Sequence, residues 1–360
     1  MKIKIVTIPD RLNIGNRLQN YAMQKILENY TEDVETINHA WNTRKLSFLQ
    51  VVKRRVKYAI QHFLGHIRMK DAKYQKMLKV KSFNNKHIKS TKFIYNEKQL
   101  KKLEEETDFV VTGSDQVWNP EIMFLPGFVM LDFVSPEKKV AVAPSIALDS
   151  LTKEQSEMFS KYLSDFDNLS CREEQGAKLL EDVLGKQVVS LVDPTLMLSK
   201  DDWNKVAKKP KCHDENKKYV LLYFLGEMTD EYRRTIHYIK EKYGLEVINI
   251  LDKSTPYYVI GPGEFVYLMK HASVVLTDSF HGSVFSYIFD RPFKIFKRKG
   301  FGGSMNTRLV NLMNKLNLNE DVYLSENTNL DNILDVSYDK SYLENEQKKF
   351  KNYLDNIFLK

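Results

Sequence analysis

Cysteine is nearly absent: 360 residues contain only Cys171 and Cys212, 41 positions apart. That spacing builds neither a metal cluster nor a disulfide framework, and it fits a reducing compartment. Long apolar runs are missing too. No stretch reaches about 18 uninterrupted apolar residues, which excludes a helical membrane span. The opening Met-Lys-Ile-Lys-Ile-Val-Thr-Ile reads as a strand. It lacks the apolar segment and small-residue cleavage site of a secretion signal, so a cytoplasmic location is expected. The lone Gly15 of the first turn does not make a dinucleotide fingerprint. No His/Cys/Asp cluster suggests a metal, no nucleic-acid module is evident, and neither repeats nor low-complexity segments stand out.

Hydrophobic residues make up 42% of the chain, with 20 Phe and 19 Tyr, enough for substantial cores. At this length two domains are expected. The net charge of +8 is concentrated: residues 44–92 hold 15 Lys/Arg against one acid, Asp71. Within that block Val51, Val52, Val56, Ala59, Ile60, Phe63 and Leu64 recur at helical spacing. The pattern is a basic amphipathic helix, suited either to a solvated face or to peripheral contact with an anionic membrane.

Apolar, β-branched runs alternate with helical patterns along the chain. This predicts an α/β protein of two doubly wound Rossmann-like domains facing a cleft. The expected division is an N-terminal domain over 1–205, interrupted by the basic insertion near 44–92, and a C-terminal domain over 216–335. The highly charged Lys205–Lys218 is the linker between them. A last helix in 336–360 is expected to pack back on the first domain.

Ligand-facing corners in such folds lie where a strand ends and a helix begins, because free backbone N–H groups there attract anions. The strongest candidate is Ala272–Pro292. A buried strand ends in Thr277, Asp278 and Ser279, and His281, Gly282 and Ser283 open the helix that follows. A histidine there can pass a proton while the helix start holds a phosphate or carboxylate. A second corner is Gly15-Asn16 ahead of a helix beginning near Leu18. A third is Gly113-Ser114-Asp115-Gln116-Val117-Trp118-Asn119-Pro120, dense in groups that hydrogen-bond hydroxyls. There Asp115 is a candidate base, and Trp118 either stacks on a sugar ring or belongs to the core. A fourth is Arg172, whose fork of donors suits a carboxylate or phosphate, or else pairs with Glu173 or Glu174. Gly300–Gly303 reads as a loop able to close over a ligand, and Arg308 opens the helix after it.

Together these stretches resemble the polysaccharide pyruvyl transferases. The resemblance rests on Gly15-Asn16 with Leu18–Ala22, on Gly113–Pro120, and on Ser170-Cys171-Arg172-Glu173-Glu174. It rests equally on Asp193-Pro194-Thr195, Gly261-Pro262-Gly263-Glu264-Phe265 and Thr277-Asp278-Ser279-Phe280-His281-Gly282. The ordered set spans residues 5–315. It implies a fold similar to the GT-B glycosyltransferases, with phosphoenolpyruvate as donor substrate, no other cofactor, and a sugar or lipid-linked oligosaccharide as acceptor. By the same resemblance His281 is catalytic and Arg172 binds the donor. Asn16, Ser279, Gly282, Ser283 and Arg308 complete the expected donor site, and Gln116, Trp118 and Asn119 the acceptor site. Many relatives carry Arg where this chain has Ser279. Either Lys294, Lys297, Arg298 or Arg308 supplies that cation, or the donor differs. The lipid-linked acceptor further implies peripheral association at the inner membrane face through residues 44–92. Two rival expectations are a GT-B glycosyltransferase using a nucleotide sugar and a non-catalytic assembly protein built on the basic helix.

Overall fold

The computed structural model describes residues 1–10, 12–39, 71–123, 125–299, 305–318 and 330–359, with isolated positions at 52–53, 56–57, 60 and 322. Much of the amphipathic pattern within 44–92, including Val51, Ala59, Phe63 and Leu64, and the Gly300–Gly303 loop therefore lie outside the described residues. Two compact units are present. The first comprises Met1–Met197 with Lys349–Lys360, the second Leu198–Lys348. The division falls ahead of the charged stretch 205–218. The reason is Trp203: fully buried, it packs edge-on against Phe285, so the short helix Lys200–Asn204 belongs with the second unit.

The first unit is built on parallel strands β1 (Lys2–Val6), β2 (Asp33–Thr36), β3 (Phe109–Gly113) and β4 (Lys139–Val142), in the order β2-β1-β3-β4. Ile3, Ile5, Val110, Val111, Val140 and Val142 are fully buried, as central parallel strands covered on both faces require. A bridge from Val140 to Asn168 leads on to β5 (Ser170–Cys171) and β6 (Val189–Ser190), also parallel. The first crossover helix, Ile14–Leu27, starts where Asn13 accepts a hydrogen bond from the Asn16 backbone at 3.1 Å. Of the basic insertion, Ala72–His87 is helical and capped by Asp71, whose side chain accepts from Lys73 and Tyr74.

The second unit repeats the plan. Strands β7 (Tyr219–Tyr223), β8 (Glu246–Asn249), β9 (Val274–Thr277) and β10 (Phe293–Ile295) pair in parallel in the order β8-β7-β9-β10. Numbered within their own unit, both sheets have strand order 2-1-3-4. The sequence showed no repeat, but the topology contains one. Each sheet therefore has one place where consecutive connections leave in opposite directions: between β1 and β3 in the first, between β7 and β9 in the second. Ligands in such folds bind at the carboxyl ends of the strands flanking that point. Among the described residues no helix is long and apolar enough to cross a membrane.

Candidate active site

In the first unit, buried polar side chains gather at the carboxyl ends of β1, β3, β4, β5 and β6. Asn16 leaves the helix behind β1 and donates through Nδ2 to Asp115 Oδ2 at 3.1 Å, bridging the point where strand order reverses. Asp115 stands just beyond β3 with φ of 57°, in the left-handed region that side chains other than glycine seldom occupy. Its backbone carbonyl accepts from the Ser145 N–H at 2.8 Å, which ties the β3 and β4 loops together. Gly113 is required here because a Cβ would lie 2.1 Å from the Val142 carbonyl oxygen.

Arg172, at the end of β5, is 2% exposed. Its Nη1 lies 2.8 Å from Asp193 Oδ2, and its Nε 3.3 Å from Glu173 Oε1. Ser114 donates to Asp193 at 3.1 Å, the Thr195 hydroxyl donates to it at 2.7 Å, and the Ser145 hydroxyl donates to Glu173 at 2.5 Å. Burial opposes the guanidinium's charge, but Glu173, Asp193 and Asp115 outweigh it and raise its pKa above the ordinary value. The ion-pair alternative thus describes Arg172 in this conformation, and Asp193, noted in the sequence only within its own motif, is a partner the sequence did not assign to it. A phosphate or carboxylate approaching Arg172 would also meet these acids.

Of the expected acceptor residues, Gln116 and Asn119 are buried in the loop after β3, and Asn119 Oδ1 accepts from the Glu121 backbone at 3.0 Å. Trp118 corrects an expectation. Its ring is fully enclosed in the core, edge-on to Phe166, and its indole N–H donates to the Val129 carbonyl at 3.1 Å. No face of it is open to a sugar ring.

The second unit holds His281, in the first turn of the helix Phe280–Ile288. Ser279 is the N-cap, its hydroxyl accepting from the Gly282 N–H at 3.4 Å, and the Ser283 hydroxyl donates back to the Ser279 carbonyl at 3.1 Å. His281 is 6% exposed, its ring edge-on to Phe280 with centroids 5.5 Å apart. Arg308 lies over the same Phe280 ring: its guanidinium carbon is 5.0 Å from the ring centroid. Arg308 sits inside the helix Met305–Lys315, three residues past its start, and not at its opening as expected.

Asp278 crosses the strand-order reversal of this sheet as Asp115 does in the first. Fully buried, it accepts from the backbone N–H groups of Leu225 at 2.6 Å and Gly226 at 2.8 Å, just beyond β7. Arg298 leans on the same residue, with Nε 3.4 Å from Asp278 Oδ2 and Nη2 donating to the Asp278 carbonyl at 2.8 Å. Arg298 and Arg308 thus both flank the His281 helix start. An aspartate within two residues of the end of the third strand of each unit is the signal that would have revealed this symmetry in the sequence.

Comparison with known proteins bears on the family and the fold. The family model described as polysaccharide pyruvyl transferase matches residues 13–297. No curated protein shows a significant match in sequence. Among solved structures, a Listeria monocytogenes protein assigned as a UDP-N-acetylglucosamine 2-epimerase superposes with a TM-score of 0.52 at 12% identity, over 99% of this chain and 89% of that one. The UDP-GlcNAc 2-epimerase of Neisseria meningitidis, bound to UDP-GlcNAc, gives 0.49 at 11% identity, over 99% and 100%. At such identities the likeness concerns fold alone. With the two parallel sheets, the first of them supports a GT-B-like fold of two Rossmann-like domains.

Proposed function

The chain belongs to the polysaccharide pyruvyl transferase family, and from that premise we propose that it moves a pyruvyl group from phosphoenolpyruvate to two hydroxyls of one sugar, closing a cyclic ketal. The sugar belongs to a cell-surface polysaccharide or its lipid-linked precursor. The observation that carries the reading is His281 in the first turn of a nine-residue helix at the end of a parallel strand, flanked by Arg298 and Arg308.

A proton from His281 adds to the methylene carbon of the donor, which becomes the methyl group of the product. The carbon bearing the phosphate ester takes on oxocarbenium character. One sugar hydroxyl bonds to it and gives up its proton. The C–O bond to phosphate breaks, and inorganic phosphate leaves with the electron pair. The second hydroxyl then bonds to the same carbon and closes the ring. Of the two hydroxyl protons, one regenerates the acid and one goes with the phosphate, so no oxidant or reductant is consumed. Asp115 is the base for a hydroxyl. The helix start and Arg308 neutralise the donor's phosphate and carboxylate, with Arg298, which also leans on Asp278, beside them. Arg172 is already matched by Asp193 and Glu173. Its part in this reading is to hold those acids and the β5 corner in place.

Thermal shift with phosphoenolpyruvate tests the donor. A ligand that binds only the folded state adds about 2.7 kcal/mol of stability at a hundred times its Kd. His281→Ala is expected to keep most of that shift and to lose roughly a hundredfold to ten-thousandfold in phosphate release with acceptor present. Stabilisation by nucleotide sugars and not by phosphoenolpyruvate would replace this reading with glycosyl transfer.

A further inference from the structure

The first helix begins with a buried positive charge that no carboxylate neutralises. Arg17 lies in the first turn of Ile14–Leu27 and is 6% exposed. Its Nη2 donates to the Ile8 carbonyl, and Nε and Nη2 donate to Asn16 Oδ1. Both acceptors are uncharged. Among the described residues no carboxylate reaches ion-pairing distance of Arg17, and Nη1 has no acceptor. Burial pushes its pKa down to about 10, because Asp10 and Asp115 act on it only from a distance. Arg172, in the same unit, is the reverse: equally buried, but ringed by acids.

A buried guanidinium whose acceptors are all uncharged keeps much of its desolvation cost, and an arriving anion would offset that cost. The surroundings say what kind. No acid stands in the first turn of this helix, so its N-terminal partial charge adds to that of the guanidinium. The corner is at the carboxyl end of β1, beside the reversal of strand order, where Asn16 holds Asp115.

We infer that this corner binds a phosphate or diphosphate group carried by the sugar acceptor, with Arg17 Nη1 as a donor and the adjoining sugar hydroxyl presented to Asp115. A neutral sugar would leave the guanidinium uncompensated, and the donor's two anionic groups are already matched by the second unit. That the anion belongs to the acceptor rests on the pyruvyl-transfer reading; that an anion binds here does not.

Thermal shift distinguishes these, using inorganic pyrophosphate and a hexose 1-phosphate as probes, each with and without saturating phosphoenolpyruvate. Wild type is expected to be stabilised by both probes, additively with phosphoenolpyruvate. Arg17→Gln should weaken probe binding by roughly tenfold to a hundredfold, as loss of one charge-assisted contact implies, and leave the phosphoenolpyruvate shift intact. Arg17→Lys should retain part of it. The unliganded melting temperature of Arg17→Gln should be unchanged or higher, since the variant removes an unpaired charge. A merely structural role predicts the opposite: a lower melting temperature with both ligand shifts preserved. Three results overturn the proposal: no probe shift in wild type, a probe shift that survives Arg17→Gln, or probes that compete with phosphoenolpyruvate. A missing phosphoenolpyruvate shift in wild type, with the Arg17 effect on pyrophosphate intact, would sink the donor reading and leave the anion site standing.

Discussion

Gly282 shows how little room a single residue has at the His281 corner. A Cβ there would lie 2.4 Å from Thr277 Oγ1. That hydroxyl donates to the Tyr223 carbonyl at 2.7 Å and accepts from the Ser279 N–H at 3.0 Å, so it cannot yield without loosening both β7 and the helix cap. Gly282→Ala gains up to about 1 kcal/mol of helix propensity but overpacks the corner at a cost of roughly 1–3 kcal/mol. The net expectation is a lower melting temperature; a clear rise would show that Thr277 moves freely. Arg172 and Arg17 give the companion lesson. Both are arginines near a strand end, and the sequence drew attention to the one beside acids. Which guanidinium is matched depends on Asp193, 21 positions further along the chain, which the fold brings to Arg172.

The elements are joined by a few buried or half-buried polar contacts whose charge state matters. Glu104, in the helix Glu97–Glu105, accepts from the backbone and hydroxyl of Ser135 at 3.3 and 2.8 Å and lies 3.3 Å from Lys138 Nζ. Burial disfavours its charge, but these partners prevail and hold its pKa below the usual carboxylate value. Because the folded value is depressed, the stabilisation is present above the unfolded carboxylate's pKa. It is lost as pH falls through the folded one. Glu104→Gln should therefore flatten stability in that acid window relative to wild type, as denaturant titrations across pH would register. An unchanged slope would assign the acid sensitivity elsewhere. The strand–turn–helix corners are the other lesson at this scale. They were readable because a parallel strand and a helix have different hydrophobic periods, and N-cap residues mark the change.

The whole molecule is two units of like topology, and the chain returns to the first at its end. In the terminal helix Ser341–Phe358, Phe350, Leu354, Ile357 and Phe358 are buried. Phe358 meets Phe109 of β3 and Tyr30, the Tyr353 hydroxyl donates to the Ala141 carbonyl of β4 at 2.9 Å, and Tyr30 donates to Asp355 at 2.6 Å. Each large apolar side chain so buried contributes about 1.5–3 kcal/mol, comparable together with the net stability of a domain. Truncation after Lys348 should leave the first unit unfolded or aggregating, while Tyr353→Phe should cost about 0.5–1.5 kcal/mol. A truncated chain that melts like wild type would show that the helix is dispensable.

Taken alone, the amino-acid sequence determined the fold class, the strand–helix corners and the family, because period, caps and motif order are local properties. His281, Asp115 and Ser279 stood out as candidates for that reason, each within four residues of a strand end in the chain itself, and Asn16 because it lies in the first turn of the helix after β1. Tertiary structure decided what depends on distant residues meeting. It enclosed Trp118 in the core, paired Arg172 with Asp193 and Glu173, braced Arg298 against Asp278, and left Arg17 buried with no carboxylate at ion-pairing distance among the described residues. It also showed that both sheets share one strand order, each crossed by an aspartate where that order reverses. Burial and charge pairing are sums over neighbours from many parts of the chain, and no window of sequence contains them.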